Sequence, residues 1–509
     1  MENENINPNF GTPNSPDTPP PPPPNPVPPT NTPPPNLSEI EKIKASILND
    51  NTPPASSNPP INPATNNSNT ILNFLKNPKI IIGILATIIL ITGGIFGYYY
   101  LFLNKGYLTI DFSNPPDKLT INGQDYSPNS SPLSLQLKPG QYTITANKSN
   151  HFPFSATINL VAKQTIPVTI DLVSYPQAKE IVEYDTAFPH LNPNQNEITY
   201  LSAHGIAFYK LKINDFTKTI ISENIFNHIT DIRWAPSVRN ACLITSINSP
   251  EIKDNQKKGN ILYDPDRPLN STVFHLYDFS KYDFTSQNHQ IYSTMIQHPT
   301  WHPTKEEILF HYTNPDTKEN SISKAKPTLE NRELVIELQS QNSVLAQYSP
   351  DLEIIAYVDT QPDPGEQNNI YIYRTVPRKH DKIPTKETYL DFIWSPNSQK
   401  ILGFKDDGSI SLIDVNTFEI SDLPFKIPKN KLCWLNNSSQ IIASISANQD
   451  NDKLILFDTS TNEPRDIVFQ DTNQFQTISD LFVTADDSTL YFVANDTQHL
   501  FSLPLILNQ

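Results

Sequence analysis

Apolar and polar residues follow three different rhythms along this chain. Up to Pro78 the apolar residues are sparse and aperiodic. Over residues 80–103 they run on without one charged side chain, and from Gly106 onward they alternate with polar residues in short bursts broken by Pro, Gly and Asn. The middle run is 24 residues long; at about 1.5 Å per residue a helix of that length reaches roughly 36 Å, more than the hydrocarbon thickness of a bilayer. A transmembrane helix over 79–103 is therefore predicted. Lys76 and Lys79 precede it, and Tyr98, Tyr99, Tyr100 and Phe102 gather at its far end, where amphipathic rings favour the headgroup layer. A cleaved signal peptide would have an apolar core of about 7 to 15 residues followed by a small-residue cleavage site. This run is longer, starts far into the chain and ends in bulky aromatics.

The bursts fall into two groups. Over 105–174 they predict strands at 106–112, 119–123, 133–137, 141–146, 154–160 and 165–172, with turns at Pro115-Pro116-Asp117-Lys118 and Lys138-Pro139-Gly140. Short strands at this spacing read as a compact antiparallel β-sandwich. Gly106-x-Leu108-x-Ile110, a proline-bearing turn, Leu119-x-Ile121-Asn122-Gly123, and then the phrase S-P-L-x-L-x-L-x-P-G-x-Y-x-I over 131–144 follow the order of the PEGA family, which this segment resembles. The turn that names the family, Pro-Glu-Gly-Ala, is replaced here by Pro115-Pro116-Asp117-Lys118. The resemblance implies a small non-catalytic β module of membrane-anchored bacterial envelope proteins.

Over 175–509 the bursts repeat. All four tryptophans open one kind of phrase: Trp234-Ala235-Pro236, Trp301-His302-Pro303, Trp394-Ser395-Pro396 and Trp434-Leu435-Asn436. Leu191-Asn192-Pro193, Tyr348-Ser349-Pro350 and Val483-Thr484-Ala485 are weaker copies, giving seven anchors spaced 43, 67, 47, 46, 40 and 49 residues apart. Apart from one insertion, this is the length of a four-stranded propeller blade. Each copy suggests a strand ending at the anchor, a reversal and a buried strand. The last copy runs out of chain after three strands, while an unused strand at 178–184 precedes the first. That strand is expected to complete the final blade and close the ring. The fold class is thus all-β, a small sandwich followed by a β-propeller read as seven-bladed, with six or eight blades as neighbouring counts. The phrase from Trp394 to Leu402 resembles the WD40-like propeller repeat of the TolB type, which implies a binding platform with no single chemistry.

Composition refines this picture. Of 49 prolines, 21 precede Lys79, many in runs such as 19–24, so residues 1–78 read as a disordered Pro/Asn-rich arm. Within it, Leu37, Ile40, Ile43, Ile47 and Leu48, with Ser38 and Glu41 spaced as a capping box, predict a short amphipathic helix over 38–49. Lys42, Lys44, Lys76 and Lys79 bias the arm slightly toward the cytoplasm, and hence the domains toward the extracytoplasmic side. Gly93 and Gly97 have the spacing of a weak helix dimer. The net charge is -16, with about -2 in the arm, so nucleic acid is an unfavourable partner. Cys242 and Cys433 form neither a zinc pattern nor a disulfide framework.

Catalytic motifs are not found: there is no G-x-S-x-G, no H-E-x-x-H and no glycine-rich phosphate loop. His289, His298, His302 and His311 are dense, but His298 and His302 flank a Trp turn and read as loop residues rather than metal ligands. Asp264-Pro265-Asp266, Asp406-Asp407-Gly408 and Asp486-Asp487 read as turn chemistry rather than calcium ligands. No cofactor is expected. The insertion at 248–271, carrying Lys253, Lys257, Lys258 and Arg267, is the expected partner-binding site, with a second loop at 359–369 behind it. Two function classes follow. The first is a membrane-anchored, non-enzymatic envelope protein whose propeller binds a protein or a cell-wall polymer. The second is a propeller glycan hydrolase or lyase, which would require acids recurring at the channel-facing ends of the strands. Several copies carry aliphatic residues there, which favours binding.

Overall fold

The structure is a computed structural model that describes residues 78–99, 104–128, 131–183, 186–192, 196–202, 207–222, 228–236, 241–249, 264, 267–279, 289–339, 342–360, 368–384, 387–447, 451–470 and 475–507. The expected arm and its short helix lie outside these residues, as does the end of the apolar run beyond Tyr99. Helix α1 spans Pro78–Tyr98. Its uncharged run Ile81–Tyr98 is long and apolar enough to cross a membrane, and none of it is buried in protein. Gly93 and Gly97 lie one turn apart on it, with open space where a side chain would stand.

The small domain has seven strands: β1 (Gly106–Phe112), β2 (Lys118–Ile121), β3 (Gln124–Tyr126), β4 (Leu133–Leu137), β5 (Gly140–Asn147), β6 (Phe154–Leu160) and β7 (Thr165–Ile170). They form two sheets, β4-β1-β7 and β3-β2-β5-β6. Leu108, Ile110, Leu119, Ile144 and Ile170 are packed between them, as period-two alternation requires. Asn122 and Gly123, both at positive φ, make the tight β2–β3 hairpin. In place of the family's usual turn, the Asp117 carboxylate accepts from Ser149 N at 2.8 Å and Ser149 Oγ at 3.0 Å, which holds it below the ordinary carboxylate range. The sandwich is not wholly antiparallel. β1 and β7 pair in parallel, from Tyr107 with Thr165 to Phe112 with Ile170. Only a residue without Cβ can begin β1, since a Cβ on Gly106 would come within 2.6 Å of Val161 O.

The short link into the next domain is stitched down. Phe152 packs edge-on against Tyr175 at 4.8 Å. Gln470 donates from N to Pro176 O at 2.9 Å and from Nε2 to Tyr175 O at 3.0 Å.

Beyond it lie seven four-stranded antiparallel sheets, the blades of a propeller. Their innermost strands are Ala187–Asn192, Ile229–Trp234, Ile296–Trp301, Val344–Tyr348, Tyr389–Trp394, Leu432–Trp434 and Ile478–Val483. Six end on the expected anchor, and the first ends one residue past it. Strand β8 (Lys179–Val182) supplies the outer strand of blade 7, pairing Val182 with Leu500 and Glu180 with Phe501. Between blades 7 and 1, Val182, Ile198, Tyr200, Tyr491 and Val493 share one cluster, so the ring closes. Each tryptophan packs against the preceding blade. The indoles of Trp234 and Trp301 also donate backward, to Phe188 O at 3.1 Å and Arg233 O at 2.8 Å.

The two faces of the ring differ. Turns from the first to the second strand of every blade are four to six residues long. They are also laced together: Asp351 N donates to Ser398 Oγ, Asn397 N to Ser438 Oγ and Asn436 N to Asp487 Oδ1, each at 2.9–3.0 Å. On the opposite face, connections from the second to the third strand vary from three residues to the 24 of 248–271.

Packing between blades is tight enough to be tested at one glycine. A Cβ on Gly403 would lie 2.7 Å from the ring of Tyr389 and 3.0 Å from Ile370. Gly403→Ala is expected to destabilise the propeller by about 1–3 kcal/mol, the usual range for overpacking, read as a lowered thermal midpoint against wild type.

Candidate functional site

Lys253, Lys257 and Lys258 lie outside the described residues. Arg267, expected to face a partner, is turned inward instead. Its side chain is 6% exposed and its Nε stands 3.1 Å from Asp264. Its Nη1 donates to Thr272 O at 2.6 Å and its Nη2 to Tyr292 O at 2.7 Å. Asn248, fully buried, completes the bracket by donating from Nδ2 to the carbonyls of Asp264 and Arg267, both at 3.0 Å. Arg267 therefore clamps the base of the insertion. The insertion is also electrically balanced, since Glu251, Asp254, Asp264 and Asp266 offset its four cations. Positive charge concentrates instead on the rim of blade 4, where Arg374, Arg378, Lys379 and Lys382 face one acid, Asp381.

On the loop-bearing face, next to the insertion's base, a groove of about 720 Å³ lies over blade 3. Thr294 and Gln297 come from the start of its innermost strand, His311 from its second strand, Asn314 and Lys318 from the following hairpin, and Ser343 from the approach to blade 4. The wall is held by a chain of hydrogen bonds. Ser343 Oγ donates to Gln297 Oε1. Thr360, at the stem of the second long loop, donates from N and Oγ1 to Ser343 O at 2.8 and 3.0 Å. His298 Nε2 lies 3.2 Å from Thr360 Oγ1. His311 Nε2 is 2.6 Å from Asn320 Oδ1, which makes that nitrogen the donor. Its Nδ1 is buried and has no partner. Glu319 at the groove's edge is neutralised by Arg332, whose Nη1 and Nη2 reach its two oxygens at 2.6 and 3.2 Å.

His298 also belongs to a register that the sequence reading passed over. The third residue before each anchor is Phe188, Asp231, His298, Leu345, Asp391, Lys431 and Asp480. It sits at an irregularity of the innermost strand in several blades, with positive φ at Phe188, His298 and Asp480. Acids do recur there, in blades 2, 5 and 7, and only Phe188 and Leu345 are apolar. Counting back three residues from each anchor would have found them. Arg233 Nε holds Asp231 at 2.9 Å and Lys429 holds Asp391 at 3.0 Å, while burial pushes the Asp480 carboxyl up. Burial pulls His298 down to about 4, helped by Arg233 and His311 and opposed by Asp391. His298, Asp231 and Asp391 thus hold the same place on the innermost strands of blades 3, 2 and 5.

The remaining candidates are structural. His302 Nδ1 accepts from Thr304 N and Lys305 N at 3.2 and 3.1 Å and so closes its own turn. Asp407 accepts from Ser409 N at 2.9 Å and pairs with Lys426. Asp486 accepts from Ser488 N at 3.1 Å. No group of three or more metal-ligating side chains occurs among the described residues. Cys242 is buried, and burial pushes the Cys433 thiol up to about 12.

Among known families, the small domain has a match. Residues 105–175 match the PEGA domain family and constitute a PEGA domain. At the level of sequence, no curated protein is similar to the chain. Among solved structures, the chain is similar to an oligogalacturonate lyase in complex with manganese, at 12% identity over 65% of this chain and 91% of that one, with a TM-score of 0.42. It is similar to a chain of the mitotic checkpoint complex, at 12% identity over 65% and 94%, TM-score 0.43. It is also similar to the β-propeller domain of Cps50 (Swd1) from Myceliophteria thermophila, at 10% identity over 64% and 98%, TM-score 0.41.

Two outcomes follow from these side chains. Arg267→Ala strands a buried Asp264 and the carbonyls of Thr272 and Tyr292, and is expected to cost about 3–5 kcal/mol, the usual penalty for breaking a buried pair, seen as a large drop in the thermal midpoint. His190 and His298 are both held near 4 by burial, against about 6.5 in an unfolded chain. Between these values the unfolded state binds more protons, so stability is full above about pH 6.5 and is lost as pH falls toward 4. Both rings are partly exposed, which limits the loss to about 1 kcal/mol each. In His298→Gln the fall in thermal midpoint between pH 7 and pH 4.5 should be smaller than in wild type.

Proposed function

We propose that this chain is a single-pass membrane protein of the bacterial cell envelope, with its N-terminal arm cytoplasmic and its PEGA domain holding the propeller on the extracytoplasmic side. The propeller acts as a non-catalytic binding platform, and its loop-bearing face takes a protein or a cell-wall polymer. The observation that carries this reading is the inequality of the two faces. On one, every first-to-second-strand turn is short and several are bonded to the next, whereas the other combines a polar groove with the stem of the longest connection, 248–271. Long connections on a rigid scaffold are where propellers and other β folds place recognition. The uncharged run Ile81–Tyr98 supports the anchor, and the PEGA domain supports the envelope setting.

A glycan hydrolase or lyase on the axis is the second reading, because Asp231, Asp391 and Asp480 recur in register. Two of the three are already committed to Arg233 and Lys429, and a carboxylate held by a cation is a poor general base. Binding is therefore preferred.

The test uses the full chain in detergent as bait for solubilised envelope material, beside a variant lacking residues 251–262, which leaves the Asn248–Asp264–Arg267 bracket intact. A partner captured by wild type and lost or weakened severalfold with the trimmed chain is expected. Identical capture by both chains, and by a chain with its groove residues Gln297 and Lys318 replaced by Ala, would overturn the placement of the binding face.

A further inference from the structure

We infer that the groove over blade 3 is a saccharide site that favours sugars bearing an acid group; this rests on the reading of the loop-bearing face as the binding face and specifies its ligand. Volume is the first argument, since about 720 Å³ falls within the range of small-molecule sites. Chemistry is the second. A sugar ring offers many hydroxyls, each both donor and acceptor, and is matched by a wall of amides and hydroxyls rather than by a wall of charge or hydrocarbon.

The commitments of the wall residues decide what is left for a ligand. Ser343 donates to Gln297 Oε1, which orients this amide and leaves its Nε2 to donate to a ligand. Asn314 Oδ1 accepts from Asp316 N and Thr317 N at 3.0 and 3.3 Å, so its acceptor is spent on the hairpin. Thr294, exposed at the mouth, and Thr313 bring hydroxyls that serve in either sense. Met295 and Pro315 supply apolar surface for the C–H face of a ring. His311 is the independent sign of an unmet need. It is 1% exposed, its Nε2–H is used by Asn320, and burial holds it neutral, so Nδ1 is an acceptor that no protein group satisfies. Buried orphan acceptors are costly and uncommon, and this one lies in the residue that forms the groove's inner wall.

Charge selects among sugars. Glu319 is cancelled by Arg332, which leaves exposed Lys318, on the hairpin at φ 59°, as the uncompensated charge of the lining. One ammonium beside neutral donors suits a carboxylate- or phosphate-bearing sugar, and it penalises a cationic ligand.

The experiment titrates the full chain in nanodiscs with three probes: a uronic-acid tetrasaccharide, a neutral N-acetylglucosamine tetrasaccharide and an acidic tetrapeptide, followed by calorimetry. The acidic sugar should bind, the neutral sugar about tenfold more weakly, and the peptide not detectably. Gln297→Ala should weaken both sugars, whereas Lys318→Ala should remove the preference and leave the neutral sugar unchanged; Lys318 is exposed and Gln297 half-buried, and an unaltered thermal midpoint verifies folding. Failure of both sugars to bind wild type, indifference of binding to both substitutions, or tighter binding of the peptide would each overturn the inference. If the chain still captures an envelope partner while both sugars fail, the sugar assignment falls and the binding platform stands; if capture fails as well, both fall.

Discussion

Everything in the larger domain depends on apolar contact between neighbouring sheets. No blade buries itself: its core residues are shared with the blade before and the blade after, so seven clusters run around the ring. A linear stack of such sheets would leave two greasy faces in water. Pairing β8 with the last blade removes that problem and joins residue 182 to residue 500, so the stability of each sheet is conditional on the whole circle. The anchors serve this arrangement by filling the seam at the end of each innermost strand, and their position there frees the other end of the strand for polar residues.

That division explains where the chemistry lies. Around the turn face, hydroxyls and carboxylates are consumed in holding turns together, as Ser395, Ser398 and Asp487 are. Along the innermost strands, His298 and Asp480 stand at positions of irregular backbone with positive φ. Three segments far apart in sequence, around residues 297, 314 and 343, then meet to form one groove.

Much of the architecture was legible in the sequence because it is written in periodicity. The apolar run, the alternation in the PEGA domain, the seven anchors and the spare strand before the first blade each repeat a local rule, and each is found where that rule places it. Direction and orientation were less legible. Alternation is blind to whether β1 and β7 run together or opposed. A charged residue in a polar loop reads the same whether it faces water or, like Arg267, clamps its own loop from below. The groove was invisible because its members are ordinary Thr, Gln, Asn and Ser, distinguished only by being brought together. The axial register was visible in principle, since it lies at a constant offset from the anchors.

The parallel pairing of β1 with β7 has a mechanical meaning. The chain comes into the PEGA domain at the beginning of β1 and leaves for the propeller from the end of β7, and these two points lie at opposite ends of the same pair of strands. A pull applied between them drags the strands past each other, so all six paired positions are loaded together. In a hairpin, the same pull would peel the pairs apart one after another. The module thus resists stretching along the direction in which the chain threads it, and drag on the propeller would be borne in shear by the sheet that continues directly into it.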